Sequence, residues 1–231
     1  MPPPASKAGA SAISPHPPGG IVFCVEISAN SGPWSCYDIP HSPQNMRFSN
    51  ITIFHGYGVT PEKMWFPWIH RELERLGYAV NIPAFPEPLR PDYRKWHRVA
   101  APLVRRWDAQ SLVIAHSVGG AFALRLMQSE LKTPIGGLLL VSSPFTATLN
   151  VKPYVRFFAQ PLDWKKIRGL VKNVGIIHAM NDPLVPYDHA VRYGEALGAK
   201  PIIIPKGGHF TEKKCLPLMR TLRKDFGIGQ R

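Results

Sequence analysis

From Asn50 onward the chain alternates between short apolar runs rich in β-branched residues and longer stretches with apolar positions at helical spacing. The runs are Ile51–Phe54, Tyr78–Ile82, Leu112–Ala115, Gly137–Val141, Val174–Ile177 and Pro201–Ile204. The helical patterns cover Met64–Leu76, Tyr93–Trp107, Gly119–Glu130, Leu162–Val171, Asp188–Leu197 and Cys215–Phe226. Strands that are apolar along nearly their whole length are buried on both faces, as in a parallel sheet. Strand–helix alternation of this kind predicts an α/β fold over residues 50–231, with a doubly wound, mostly parallel sheet. No internal repeat and no second domain is apparent. In such sheets functional groups gather on the loops beyond the carboxyl ends of the strands.

Upstream of Asn50 the pattern disappears. Pro2, Pro3, Pro4, Pro15, Pro17 and Pro18 fall among Ala, Ser and Gly, a composition that buries too little apolar surface to offset its ordering entropy. Residues 1–49 are therefore expected to form a poorly ordered extension. Only Ile21–Ile27 has the character of a strand, and it would lie at a sheet edge. Composition agrees with one globular domain: 231 residues, 45% hydrophobic and 19% charged. No run approaches the roughly 18 apolar residues of a membrane span. Cys24, Cys36 and Cys215 are too few and too scattered for a disulfide framework or a zinc site. The N-terminus resembles neither a secretory signal nor an Arg-rich transit peptide, so a cytoplasmic location is the default expectation.

The candidate chemistry begins where Leu112–Ala115 runs through His116 and Ser117 into Val118-Gly119-Gly120. A serine on a sharp strand-to-helix turn needs small residues two positions either side, here Ala115 and Gly119. Such a turn projects the hydroxyl, and the N–H of Val118 at the helix start faces the place where an oxyanion would form. The alternative for Ser117 is an ordinary N-cap. A nucleophilic serine requires a base, and the base a carboxylate to orient it. Asp182 follows the run Val174–Ile177 in Asn181-Asp182-Pro183, where a purely structural turn is the competing reading. His209 follows Pro201–Ile204 behind Gly207 and Gly208, where a plain loop histidine is the alternative. The three fall in the order serine, acid, histidine, each past a strand end on one sheet edge. After the first strand, His55-Gly56-Tyr57-Gly58 offers a second oxyanion N–H, from Tyr57 or Gly58. His55 itself reads as a brace for that loop.

These features together resemble the α/β-hydrolases, and more closely the small serine hydrolases related to retinoblastoma-binding protein nine. The resemblance covers Asn50 to Phe226. It rests on His55-Gly56, the cluster Trp65-Phe66-Pro67-Trp68, the elbow around Ser117, Pro161 to Ile167, Asn181-Asp182-Pro183 and Gly208-His209-Phe210. It implies a Ser117–Asp182–His209 triad on a compact body without a cap domain. Two departures stand out: Ala115 occupies the first elbow position, and no long glycine run follows Gly56.

Charge adds one further consideration. Lys and Arg number 28 against 15 Asp and Glu, a net charge of +13. The basic residues are spread over predicted helix faces, which reads as a solvated surface with salt-sensitive attraction to polyanions rather than specific nucleic-acid binding. No HExxH or His-x-x-x-His spacing marks a metal site. The expectation is a serine hydrolase acting on a small ester, thioester or related acyl compound, with no cofactor. Its rivals are a non-catalytic binding module on the same fold and a basic nucleic-acid-associated protein. Sequence alone names no protein partner.

Overall fold

The computed structural model describes residues 48–148 and 152–230. The proposed extension, residues 1–49, lies outside the described residues except for Phe48 and Ser49, so the strand reading of Ile21–Ile27 also lies outside them. The described chain builds one six-stranded sheet in the order β2-β1-β3-β4-β5-β6, with every neighbouring pair parallel. The strands are β1 (Asn50–Phe54), β2 (Ala79–Asn81), β3 (Ser111–His116), β4 (Ile135–Val141), β5 (Val171–Ala179) and β6 (Ile202–Ile204). The helices are α1 (Phe66–Arg75), α2 (Tyr93–Val104), α3 (Val118–Glu130), α4 (Lys152–Val155), α5 (Trp164–Gly169), α6 (Asp188–Leu197) and α7 (Leu216–Phe226).

Two apolar layers hold this arrangement. On one face Trp65, Phe66, Ile69 and Leu73 from the start and body of α1 join Leu218 and Leu222 of α7 against Ile51, Ile114 and Val141. On the other, Trp96, Phe122, Leu126 and Tyr193 pack with Phe54, Val113, Leu138 and Ile176. Each such side chain, when wholly buried, contributes about 1.5–3 kcal/mol. β3 and β4 are buried at every position, as their apolar sequences predict. The short edge strands β2 and β6 are only partly covered.

The structure corrects three boundaries. The helix expected over Leu162–Val171 ends at Gly169, and Val171 already belongs to β5, paired with Ile135. β4 starts two residues earlier than its apolar run, through Gly136 and Gly137. Gly136 is sterically required there, since a Cβ on it would lie 2.4 Å from the Ala109 backbone carbonyl oxygen; one on Gly137 would meet the end of the Leu112 side chain at 2.9 Å. Finally, α4 and a single 3₁₀ turn, Arg156–Phe158, occupy the connection between β4 and α5, where no element was predicted. Arg125 of α3 tethers this segment by donating to the Arg156 carbonyl (2.7 Å) and to Gln160 Oε1 (2.8 Å).

Candidate active site

The strand order reverses between β1 and β3: the chain leaves β1 for β2 on one side and returns to β3 on the other. The carboxyl ends of β1 and β3 flank that switch point, the place where such sheets hold their sites. Ser117 directly follows β3 there. Its backbone adopts φ 55° and ψ −134°, and its side chain makes no capping bond to α3. An ordinary N-cap has extended backbone and a hydroxyl bonded into the helix, so Ser117 is not one. A conformation this rare for a side-chain-bearing residue costs about 1–3 kcal/mol and persists only where the surroundings enforce it. Here the Ser117 N–H donates to the Val141 carbonyl (2.9 Å) and its own carbonyl accepts from Gly120 N–H (2.9 Å).

Glycine is needed on three sides of this turn. A Cβ on Gly119 would lie 2.6 Å from the His55 carbonyl oxygen, one on Gly120 2.2 Å from Ser143 Oγ, and one on Gly56 2.7 Å from Ser117 Cβ. The loop after β1 therefore presses directly against the serine. His55 braces that loop: its Nε2 accepts from Phe85 N–H (3.1 Å), which places the proton on Nδ1 beside the Gly56 carbonyl (3.1 Å). Burial pushes the His55 pKa down, and the ring stays neutral in this role. The Gly58 N–H is already bonded to the Pro88 carbonyl at 2.8 Å, whereas no partner for the Tyr57 N–H is present among the described residues. The Val118 N–H, at the first turn of α3, has no intrahelical acceptor.

Asp182 and His209 meet. His209 Nδ1 lies 2.8 Å from Asp182 Oδ2, a geometry in which the Nδ1–H donates to the carboxylate. The other carboxylate oxygen, Oδ1, accepts from Leu184 N–H (2.9 Å) and Val185 N–H (3.0 Å). One carboxylate oxygen therefore makes the turn, and the other meets the histidine. His178 Nε2–H donates to the Val185 carbonyl (2.8 Å) and stands 3.3 Å from Asp182 Oδ2, a close electrostatic contact. Burial alone would raise the Asp182 pKa. The polar contacts from His178, His209 and Val185 N–H outweigh it and hold the carboxyl well below the usual carboxylate range.

The loop carrying His209 is fastened from three directions, by residues that the sequence patterns did not mark as functional. Asn181 Oδ1 accepts from Gly207 N–H (2.9 Å) and Gly208 N–H (3.0 Å). Trp65 Nε1–H donates to the Phe210 carbonyl at 2.9 Å. His116, the residue before Ser117, donates from Nε2–H to the His209 carbonyl at 2.9 Å, with its ring centroid 4.9 Å from that of His209. Burial, helped by repulsion from His209, pushes the His116 pKa down to about 3, so it is neutral at physiological pH. Their adjacency to Ser117 and Asp182 was the only sequence signal for His116 and Asn181. Ser117 is thus connected to the histidine loop through its own neighbour. Serine, acid and histidine share one edge, at 9% exposure for Ser117 and 7% for His209.

Cys215 is buried and its thiol is pushed up to about 11, so it is protonated at neutral pH. Among the described residues no group of His, Cys, Asp and Glu could hold a metal ion, and no helix is long and apolar enough to cross a membrane.

The sequence model of the serine hydrolase family matches residues 51–217, from β1 into α7. The chain belongs to this family. It is similar to the hydrolase YdeN of Bacillus subtilis, with 28% identity over 164 residues that span 70% of this chain and 86% of that protein. The crystal structure of the B. subtilis ydeN gene product superposes with a TM-score of 0.73 at 23% identity, over 78% of this chain and 99% of the other. Est1E of Butyrivibrio proteoclasticus, solved with ferulic acid bound, shares the fold with a TM-score of 0.61 at 18% identity, over 84% and 93% of the two chains. These likenesses establish an α/β-hydrolase fold and a hydrolase of the serine hydrolase family.

Proposed function

We propose that the protein cleaves a small ester, thioester or related acyl compound through an acyl-enzyme intermediate, with Ser117, His209 and Asp182 as its triad. Ser117 Oγ attacks the acyl carbon while its proton passes to His209 Nε2, and the new C–O bond gives a tetrahedral oxyanion. The backbone N–H groups of Val118 and Tyr57 receive that oxyanion, Gly58 being engaged with Pro88. Collapse breaks the bond to the leaving group, which takes the proton from His209. Water, deprotonated by the same nitrogen, then releases the acid and restores Ser117. Asp182 keeps the proton on His209 Nδ1 and stabilises the imidazolium that forms in each half-reaction.

One observation carries this reading: a strained, uncapped Ser117 on the sheet edge where His209 donates to an otherwise fully bonded Asp182. A fixed carboxylate–imidazole pair on the same sheet edge as an uncapped serine has little structural purpose of its own. The test is pre-steady-state hydrolysis of p-nitrophenyl butyrate. A burst of one p-nitrophenolate per chain before the steady state is expected, lost in Ser117→Ala and His209→Ala. Absence of a burst together with unchanged turnover in both variants would refute the assignment.

A further inference from the structure

The surface around Ser117 carries information about what the site accepts. Among the described residues, six large apolar side chains are exposed: Leu89, Val155, Met180, Leu184, Tyr187 and Leu216. All six lie on chain segments leaving the carboxyl ends of strands, the edge that holds Ser117; the rest of the described surface has none. Isolated exposed leucines need no explanation, but their confinement to one edge does.

On the β1 side, Leu89 and Val155 stand on the two segments that meet the loop after β1, and with Tyr57 between them they are read as one apolar wall. Gly56 touches Ser117, and Tyr57 follows it with its ring edge-on to Tyr154 at 6.2 Å. Tyr154 in turn meets Phe158 at 5.3 Å, and its neighbour Val155 is 37% exposed. At the other end, Leu89 lies over Gly58, where a Cβ would meet its Cδ2 at 3.4 Å, and is itself 66% exposed. On the loop after β5, Leu184 stands two residues beyond Asp182, 53% exposed, with its N–H bonded to Asp182 Oδ1. The tether from Arg125 to Arg156 and Gln160 keeps the Tyr154–Phe158 segment in place beside this wall. Glu87 is paired with Lys95, so no unpaired carboxylate stands on the Leu89 loop except Asp92, which caps α2 through Lys95 N–H.

We propose that the site takes an uncharged ester or thioester whose acyl chain, several methylenes long, lies along the Leu89–Tyr57–Val155 wall. This rests on the hydrolase reading above and adds the substrate class to it. The competing class is an acyl group bearing its own carboxylate, attracted by Arg90 and Arg156, which follow Leu89 and Val155 in the chain. Among the described residues neither guanidinium has a hydrogen-bonding partner that would fix it as an anion clamp, whereas the Tyr57 ring is placed by its edge-on contact with Tyr154.

The experiment compares kcat/KM for p-nitrophenyl acetate, octanoate and hemisuccinate, alongside fluorophosphonate labelling of the same samples. Full coverage of one methylene is worth about fourfold, so a wall covering one side of the octanoyl chain should favour octanoate over acetate by at least about tenfold. Leu89→Asn combined with Val155→Asn should lower kcat/KM for octanoate by more than for acetate and so remove most of that preference. A flat series, a preference for hemisuccinate, or an unchanged octanoate preference in the double variant would overturn the proposal while labelling upheld the hydrolase reading. Failure of the wild-type protein to label would overturn both.

Discussion

Replacing Asp182 by Asn tests the machinery at its most constrained atom. Asp182 Oδ1 accepts two backbone N–H groups, from Leu184 and Val185. An Asn must keep its carbonyl oxygen in that place, since a flipped amide would set N–H against N–H. The amide nitrogen then faces His209 Nδ1 at the present 2.8 Å, with His178 Nε2–H also nearby at 3.3 Å. Donor now opposes donor. The imidazole escapes by moving its proton from Nδ1 to Nε2, where it can accept the amide hydrogen but can no longer take a proton from Ser117. In a well-studied serine-protease triad the same change lowers kcat by about 10⁴, equivalent to about 5 kcal/mol of transition-state stabilisation. The turn itself survives, because the Oδ1 bonds are retained. We expect Asp182→Asn to fold, to bind substrate with a similar KM, and to lose at least about 10³ in kcat for a p-nitrophenyl ester. Asp163→Asn is the control: Asp163 caps α5 through Lys166 N–H (2.9 Å), a role Asn fills equally well. Asp182→Asn with kcat within about tenfold of wild type would show that the carboxylate does not set the tautomer.

Two further outcomes follow from the same geometry. The His116 pKa is lowered to about 3 from 6.5, so the unfolded chain takes up the proton first as pH falls. Its contribution is therefore complete above about pH 6.5 and is lost on the way down, at up to about 1.4 kcal/mol per pH unit. His116→Gln, whose amide N–H can reach the His209 carbonyl, should flatten the dependence of unfolding free energy on pH between 6.5 and 4, and an unchanged slope would contradict this. Gly119→Ala should lower stability by about 1–3 kcal/mol, because the carbonyl oxygens of His55 and Phe54 at 2.6 and 3.0 Å belong to backbone and yield little. For a domain of this size that is roughly 2–4 °C in Tm per kcal/mol, and a Tm unchanged within about 1 °C would refute the close-approach argument.

How much of this could be read in the sequence depended on whether a feature was periodic. β3 and β4 are buried on both faces, and their uninterrupted apolar runs say so. β5 was read too short because Lys172 is exposed and Asn173 donates its side-chain amide to the Asp225 carbonyl, so its first turn of sequence looks polar. The start of β4 was hidden by Gly136, which contact with the Ala109 backbone requires but which strand composition disfavours. α4, at four residues, is too short to display a period. Around the site, the strand-end positions of Ser117, Asp182 and His209 were legible from chain order. The fastening was not, since Trp65 reaches Phe210 across 145 residues and His116 reaches His209 across 93. Such contacts leave no local pattern. The bond from Gly58 N–H to Pro88, which supports Tyr57 as the proposed oxyanion donor, is equally invisible in the sequence.

The central claim is that Ser117 is the nucleophile, and active-site labelling with a fluorophosphonate followed by peptide mass spectrometry tests it most directly. The account predicts one adduct per chain, on the fragment containing Ser117, abolished in a folded Ser117→Ala variant and strongly slowed in Asp182→Asn. The nearby Ser142, whose hydroxyl is buried without a partner among the described residues, should remain unmodified. An unlabelled wild-type protein, or an adduct that persists at full rate in Ser117→Ala, would contradict it.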